Sequence, residues 1–263
     1  MNWSIYFSGL AAMAVFAFAG WLLSLYRNNV THVDSMWSLF FMVAAFSFSA
    51  SIHHSGQDLS QRALLVLILL SIWALRLCLY LTWRNWGPHE DHRYAAIRKN
   101  NAPYFKFTSI YIVFGLQAVL AWVVSLSLLG AITSNAPLNG ADAAGVLLII
   151  SGLVWETVAD YQLSRFKSNP GNHGKVLNQG LWRFSRHPNY FGECCVWWGF
   201  YLMALAGGAW WSVPSALLMT LLLLKISGVA LLEKDIAERR PDYTEYLKST
   251  NRFIPWLPKD KDQ

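Results

Sequence analysis

Seven apolar stretches set the limits on this fold, at about residues 5–25, 33–52, 62–83, 107–133, 143–163, 190–207 and 210–232. Each approaches the roughly 20 residues that a helix needs to cross about 30 Å of hydrocarbon. Within lipid, every backbone N–H and C=O must be satisfied by the protein, which leaves helices or a closed barrel. The alternating pattern of barrel strands is missing here. The sequence therefore predicts an all-α, polytopic membrane bundle, and a composition that is 55% hydrophobic and 14% charged agrees. Ala17-Phe18-Ala19 resembles a signal-peptide cleavage site, but no positive residue precedes the first stretch and six more follow, so it is kept as a helix.

Basic residues are segregated between alternate connections. Arg84, Arg93, Arg98, Lys99 and Lys106 follow the third stretch, and Arg165, Lys167, Lys175, Arg183 and Arg186 follow the fifth. Lys234, Arg239, Arg240, Lys248, Arg252, Lys259 and Lys261 occupy the tail. Arg27 falls on the same side, whereas the opposite connections carry only Arg62. Lys and Arg in short loops stay cytoplasmic, which predicts an outside N-terminus and a cytosolic C-terminus. The net charge of +6 is thus a topology signal and does not imply nucleic acid. Cys78, Cys194 and Cys195 have no metal or redox spacing, so no metal is expected. No linker or repeat divides residues 1–263, which read as one membrane domain: 1–133 as a substrate-cavity half and 143–263 as a cofactor half.

Ionisable groups inside or beside hydrocarbon are the functional leads, because burying them costs several kcal/mol unless they are paired or hydrated. Asp34, Arg76, Glu156, Asp160, Glu193, Lys225 and Glu233 qualify. Asp34 shares a helix face with Trp37 and Ser38, while Arg76, Tyr80 and Arg84 align at four-residue spacing. Two readings follow: an Asp34–Arg76 ion pair locking two helices, or the lining of a substrate cavity. Glu156 and Asp160 likewise share a face near Arg165 and Lys167, a pattern that fits either a ligand's amide, ribose and phosphate groups or a structural salt-bridge cluster. No Gly-x-Gly-x-x-Gly follows a strand, which excludes a Rossmann cradle.

The strongest block runs from Arg183 to Glu193. Pro188 suits the first turn of a helix, so the sixth span is expected to start there. Its free N–H groups, with Arg183, Arg186 and His187, would form an anion site at the bilayer surface, and Glu193 lies one turn beyond Asn189. The tail, with Glu233, Tyr243, Tyr246 and Phe253-Ile254-Pro255-Trp256, is expected to fold back beneath the bundle.

Arg186-His187-Pro188-Asn189-Tyr190-Phe191-Gly192-Glu193, with that tail, resembles the steroid 5α-reductase and sterol reductase superfamily. Val33-Asp34-Ser35-Met36-Trp37-Ser38 and Glu90-Asp91-His92-Arg93-Tyr94 resemble signatures of its bacterial DUF1295 branch. The resemblance implies a seven- to ten-helix fold, an NADPH site in its cytoplasmic half, a lipid-facing cavity for a sterol or another apolar enone, and residence in a bacterial inner membrane. It assigns NADPH to Asp160, Lys167, Asn189, Tyr190, Glu193, Glu233 and Tyr246, with Arg186 and His187 near the phosphates.

The superfamily's Gln-Glu pair on the second helix is absent here. Asp34 is the nearest carboxylate and Tyr80 the nearest phenol, so the expected mechanism has Tyr80, assisted by Asp34 or Arg76, polarising a substrate carbonyl. Isoprenylcysteine carboxyl methyltransferases share a similar Arg-His-Pro-x-Tyr block, which makes S-adenosylmethionine the rival cofactor. A nonenzymatic lipid carrier is the third reading.

Overall fold

The computed structural model describes residues 2–226 and 243–258, whose regular elements are helices, with no strand among them. Five helices are long and apolar enough to cross a membrane: α1 (Trp3–Arg27), α2 (Val33–His54), α3 (Gln61–Arg84), α5 (Phe105–Val124) and α7 (Gly140–Ser168). The chain is thus a multi-pass membrane protein. A short α4 (His92–Asn100) precedes α5, and α6 (Leu126–Ile132) follows it. The expected fourth span is therefore interrupted at buried Ser125, whose hydroxyl donates to Trp122 O at 2.7 Å. Beyond α8 (Pro188–Ala206) lie a 3₁₀ turn (Trp210–Ser212), α9 (Val213–Leu221) and a π-helical turn (Leu222–Ile226). The rest of the expected seventh span lies outside the described residues, and α10 (Tyr243–Ser249) begins the described tail.

Local signals set the helix ends. The Asn2 side chain accepts from Ile5 N at the start of α1, and Asn28 closes that helix in the left-handed region, φ 50°. Ser60 and Asp91 accept from Ala63 N and Arg93 N to start α3 and α4. As expected, Pro188 opens α8.

The chain divides into two compact units: residues 1–139 with 203–215, and residues 140–202 with the described residues from 216 on. The first unit buries Phe40, Phe41, Phe48, Trp73, Phe114 and Leu128. In α1, Gly9 and Gly20 leave room for Phe48 and Met36, each approaching within 2.5 Å of where a Cβ would stand. The Tyr6 hydroxyl donates to Trp122 O and Trp122 Nε1 to Tyr6 O, with their rings stacked 4.2 Å apart. Arg62, the sole basic residue of the expected outer connections, is 1% exposed and donates to Ser134 Oγ, Ala136 O and Pro137 O.

In the second unit, glycines seven residues apart bring α7 and α8 together. A Cβ on Gly152 would stand 2.6 Å from Gly192 O, one on Gly192 2.7 Å from Gly152 O, and one on Gly199 2.7 Å from Gly145 O. Small residues that let backbones touch are a strong source of helix association in lipid, where apolar contact alone gains little.

The tail is laced to the residues that precede α8. Trp256 N donates to Phe184 O, Ser185 Oγ to Phe253 O, and Arg186 N to Asn251 O.

Candidate functional site

In the first unit, the start of α2 gathers a polar cluster. Asp34 Oδ2 accepts from Arg93 Nη2 at 2.6 Å and Asp34 Oδ1 from the Tyr94 hydroxyl at 2.5 Å. Arg93 also donates to Asp91, and Gln117 Nε2 reaches the Tyr94 oxygen at 3.3 Å. The carboxylate of Asp34 is thus held by Arg93 and Tyr94, and not by Arg76 as one of the two sequence readings expects. The reason is geometric: α4 starts at His92, and its first turn carries a guanidinium and a phenol onto the end of α2.

Next to this cluster, Glu90 accepts from Val30 N and from Arg98, while Asp91 N donates to Thr31 Oγ1. The connection after α3 is thereby pinned to the turn between α1 and α2. Burial works against ionising Glu90 and Asp91, but the bonds from Arg98 and Val30 N to the first, and from Arg93 to the second, hold both carboxyls below their ordinary values. Burial, reinforced by Asp34, pushes the Tyr94 phenol well above its ordinary value, which keeps it a neutral donor.

On α3, the Tyr80 ring lies between two guanidiniums, with Arg76 Cζ 5.5 Å and Arg84 Cζ 5.7 Å from its centroid. The phenol that meets Asp34 is that of Tyr94, while Arg76, the other assistant expected for Tyr80, stands beside its ring. The sequence marks Arg93 and Tyr94 only as part of a signature. Their acidic neighbours in Glu90-Asp91 were the available signal that the segment makes specific contacts.

The second unit brings much of the expected cofactor set together. Asp160 on α7 accepts from Asn189 Nδ2 on α8 at 3.2 Å, and Asp160, Glu156, His187 and Glu193 are all buried. The His187 and Tyr190 rings stack at 5.8 Å, only 6° from parallel. Lys167 is exposed at the end of α7. Two of the expected cofactor residues instead join the tail to the approach to α8: Arg186 Nη1 donates to Leu247 O at 2.9 Å and Thr250 O at 3.3 Å, and the hydroxyl of Tyr246, within the tail, donates to Trp182 O at 2.5 Å. The main chain supplies the matching support, since Trp182 Nε1 donates to Ala159 O and Leu181 N to Gln162 Oε1. Glu233 lies outside the described residues.

Among the described residues, no group of three or more His, Cys, Asp or Glu is arranged to hold a metal. A cavity of about 340 Å³ in the first unit is lined by Asn2, Ile5, Ile52, Gln57, Thr133 and Trp211. Ile52 is at the far end of α2 from Asp34, roughly 27 Å away at 1.5 Å per residue. The cavity is therefore separate from the Asp34 cluster.

No solved structure matches the chain. An uncharacterized protein of Schizosaccharomyces pombe is 28% identical over 265 residues, covering 90% of this chain and 76% of its own length. A shorter similarity, 44% over 48 residues, joins 18% of this chain to 17% of the probable O-methyltransferase ustE of Ustilaginoidea virens. Residues 20–250 match the family described as "Protein of unknown function (DUF1295)", and the chain belongs to that steroid 5α-reductase-like family.

Proposed function

We propose that the protein is an NADPH-dependent reductase of a C=C bond in an apolar enone, a 3-oxo-4-ene steroid or related lipid, acting in a bacterial inner membrane. The observation that carries this reading is the Asp160–Asn189 bond, flanked by buried Glu156 and Glu193 and by the His187–Tyr190 stack. The donor and acceptor set suits a dinucleotide. Asp160 and Glu193 can accept from ribose hydroxyls or a carboxamide, Asn189 can both donate and accept, and exposed Lys167, Arg165 and Arg183 carry charge for phosphates.

NADPH, when bound, would supply a hydride to the substrate's β-carbon, and a proton from solvent at the α-carbon would complete the reduction. The protein's own task is to orient the reactants and stabilise the developing oxyanion. In this reading Tyr80, with Arg76 beside its ring, donates a hydrogen bond to the substrate carbonyl oxygen. Asp34 acts at one remove, by holding Arg93 and Tyr94. Seven spans, with the basic connections in the cytosol, would put the cofactor residues where NADPH is available.

The short similarity to a probable O-methyltransferase favours a second reading, methyl transfer from S-adenosylmethionine. Thermal unfolding of the detergent-solubilised protein with NADPH, NADH or S-adenosylmethionine separates the two, because a ligand specific for the folded state raises its stability. Stabilisation by NADPH that is lost in Asn189→Ala and Glu193→Ala is the expected result. Stabilisation by S-adenosylmethionine alone would replace reduction with methylation, and no response to any of the three would remove both readings.

A further inference from the structure

The described tail presents a surface that neither reading of the reaction uses. Phe253 turns inward, where its ring meets Phe191 of α8 at 5.9 Å and its carbonyl accepts from Ser185 Oγ. The residues after it face outward: Ile254, Trp256 and Leu257 are 66%, 72% and 70% exposed. Large apolar side chains gathered in this way mark an interaction surface.

The depth of the patch identifies its partner. α7 has 29 residues, about 43 Å of helix, against roughly 30 Å of hydrocarbon. Its expected span ends at residue 163, and Tyr161 is exposed there, as aromatics at a membrane boundary are. Trp182 Nε1 donates to Ala159 O and Leu181 N to Gln162 Oε1, which holds residues 181–182 at that boundary. Trp256 N donates in turn to Phe184 O, so the patch hangs within a few residues of lipid. Charge agrees with this placement. In residues 161–186 and 243–258 the exposed acidic and basic side chains are Arg165, Lys167, Lys175, Arg183, Lys248 and Arg252 against Glu245 alone, a surface complementary to anionic headgroups.

We propose that Ile254, Trp256 and Leu257 insert into the headgroup layer of an anionic leaflet, so that the lipid surface itself is the partner that covers the tail. Buried apolar area and attraction between bases and anionic lipid together set the strength of such insertion. The same segment bonds Phe184, Ser185 and Arg186, so lipid contact would also steady the approach to α8, whichever cofactor the second unit takes.

The test uses the full chain in nanodiscs of phosphatidylcholine with or without phosphatidylglycerol. Leu257→Cys, in a Cys78→Ala, Cys194→Ala, Cys195→Ala background, carries an environment-sensitive fluorophore. With phosphatidylglycerol present, nitroxide-bearing lipid should quench the label, and aqueous iodide should quench it about fivefold less than in phosphatidylcholine alone, the share of one base at an anionic surface. Adding Trp256→Ser should restore iodide quenching, and Arg252→Gln should weaken the dependence on phosphatidylglycerol. Quenching by iodide and not by nitroxide lipid would overturn the proposal, as would an equal response in both discs. Shielding from both quenchers would place a protein on the patch and overturn it as well. With the native cysteines kept, trypsin should cut after Arg252 about fivefold more slowly when phosphatidylglycerol is present, and Trp256→Ser should abolish the difference. Equal cleavage of the wild type in both discs would count against insertion and refute it.

Discussion

Replacing Gly192 by alanine tests the close approach of α7 and α8. The added Cβ would stand 2.7 Å from both Gly152 O and Glu156 N, and these are backbone atoms that no rotamer change can move. Reaching ordinary contact at 3.4 Å requires the helices to part locally by roughly 0.7 Å. Overpacking of this kind costs about 3 kcal/mol, while alanine's better helix propensity returns about 1 kcal/mol. The net loss is about 2 kcal/mol, equivalent to a melting point lower by roughly 4–8 °C for a chain of this size. The same movement would stretch the Asp160–Asn189 bond beyond 3.2 Å, so nucleotide affinity should fall together with stability. Differential scanning fluorimetry in detergent, with and without NADPH, measures both effects. Gly140→Ala is the control, because no atom lies within 4 Å of its Cβ position. If Gly192→Ala melts where Gly140→Ala does, the glycine contact does not govern this interface.

Other perturbations probe the remaining polar contacts. A double-mutant cycle between Asp34 and Arg93 should give a coupling energy of about 2 kcal/mol, whereas a cycle between Asp34 and Arg76 should be additive within about 0.5 kcal/mol; the reverse order would contradict the Asp34 geometry. Glu90 and Asp91 have folded-state values held below 4.5 and 3.8, so their contribution is present above those values and is lost as pH falls through the lower folded ones. Melting points measured from pH 7 to pH 3 should therefore drop steeply at the acid end, and less steeply in Glu90→Gln. Arg186→Met removes a charged donor from two carbonyls and should cost about 3 kcal/mol, with faster proteolysis at the tail as the readout.

The helices were legible because hydrocarbon thickness fixes their length, and Pro188 marked a helix start that the structure reproduces. The break at Ser125 was not, because the fourth stretch stays apolar across it. Helical spacing could align Arg76, Tyr80 and Arg84 on one face, but it says nothing about contacts between segments 59 residues apart, the separation of Asp34 and Arg93. The glycine spacing at 145, 152, 192 and 199 is present in the sequence but gives no signal by itself, since each glycine alone looks like a weak helix former. Asp160 and Glu193 stand out as ionisable groups beside hydrocarbon, resemblance adds Asn189, and Asp160 and Asn189 do meet. Arg186, assigned to an anion site by its place before α8 and by resemblance, also makes tail contacts that only a folded chain displays.

The lacing of residues 246–256 onto residues 182–186 has a consequence for biosynthesis. Phe184, Ser185 and Arg186 leave the ribosome well before Asn251, Phe253 and Trp256, which complete their hydrogen bonds. Because domains assemble as their sequence emerges, α8 can enter the membrane during translation while its approach still lacks these partners. Completion of this region must then await the emergence of residues 246–256, so a product terminated before them would be inserted yet unable to finish folding there.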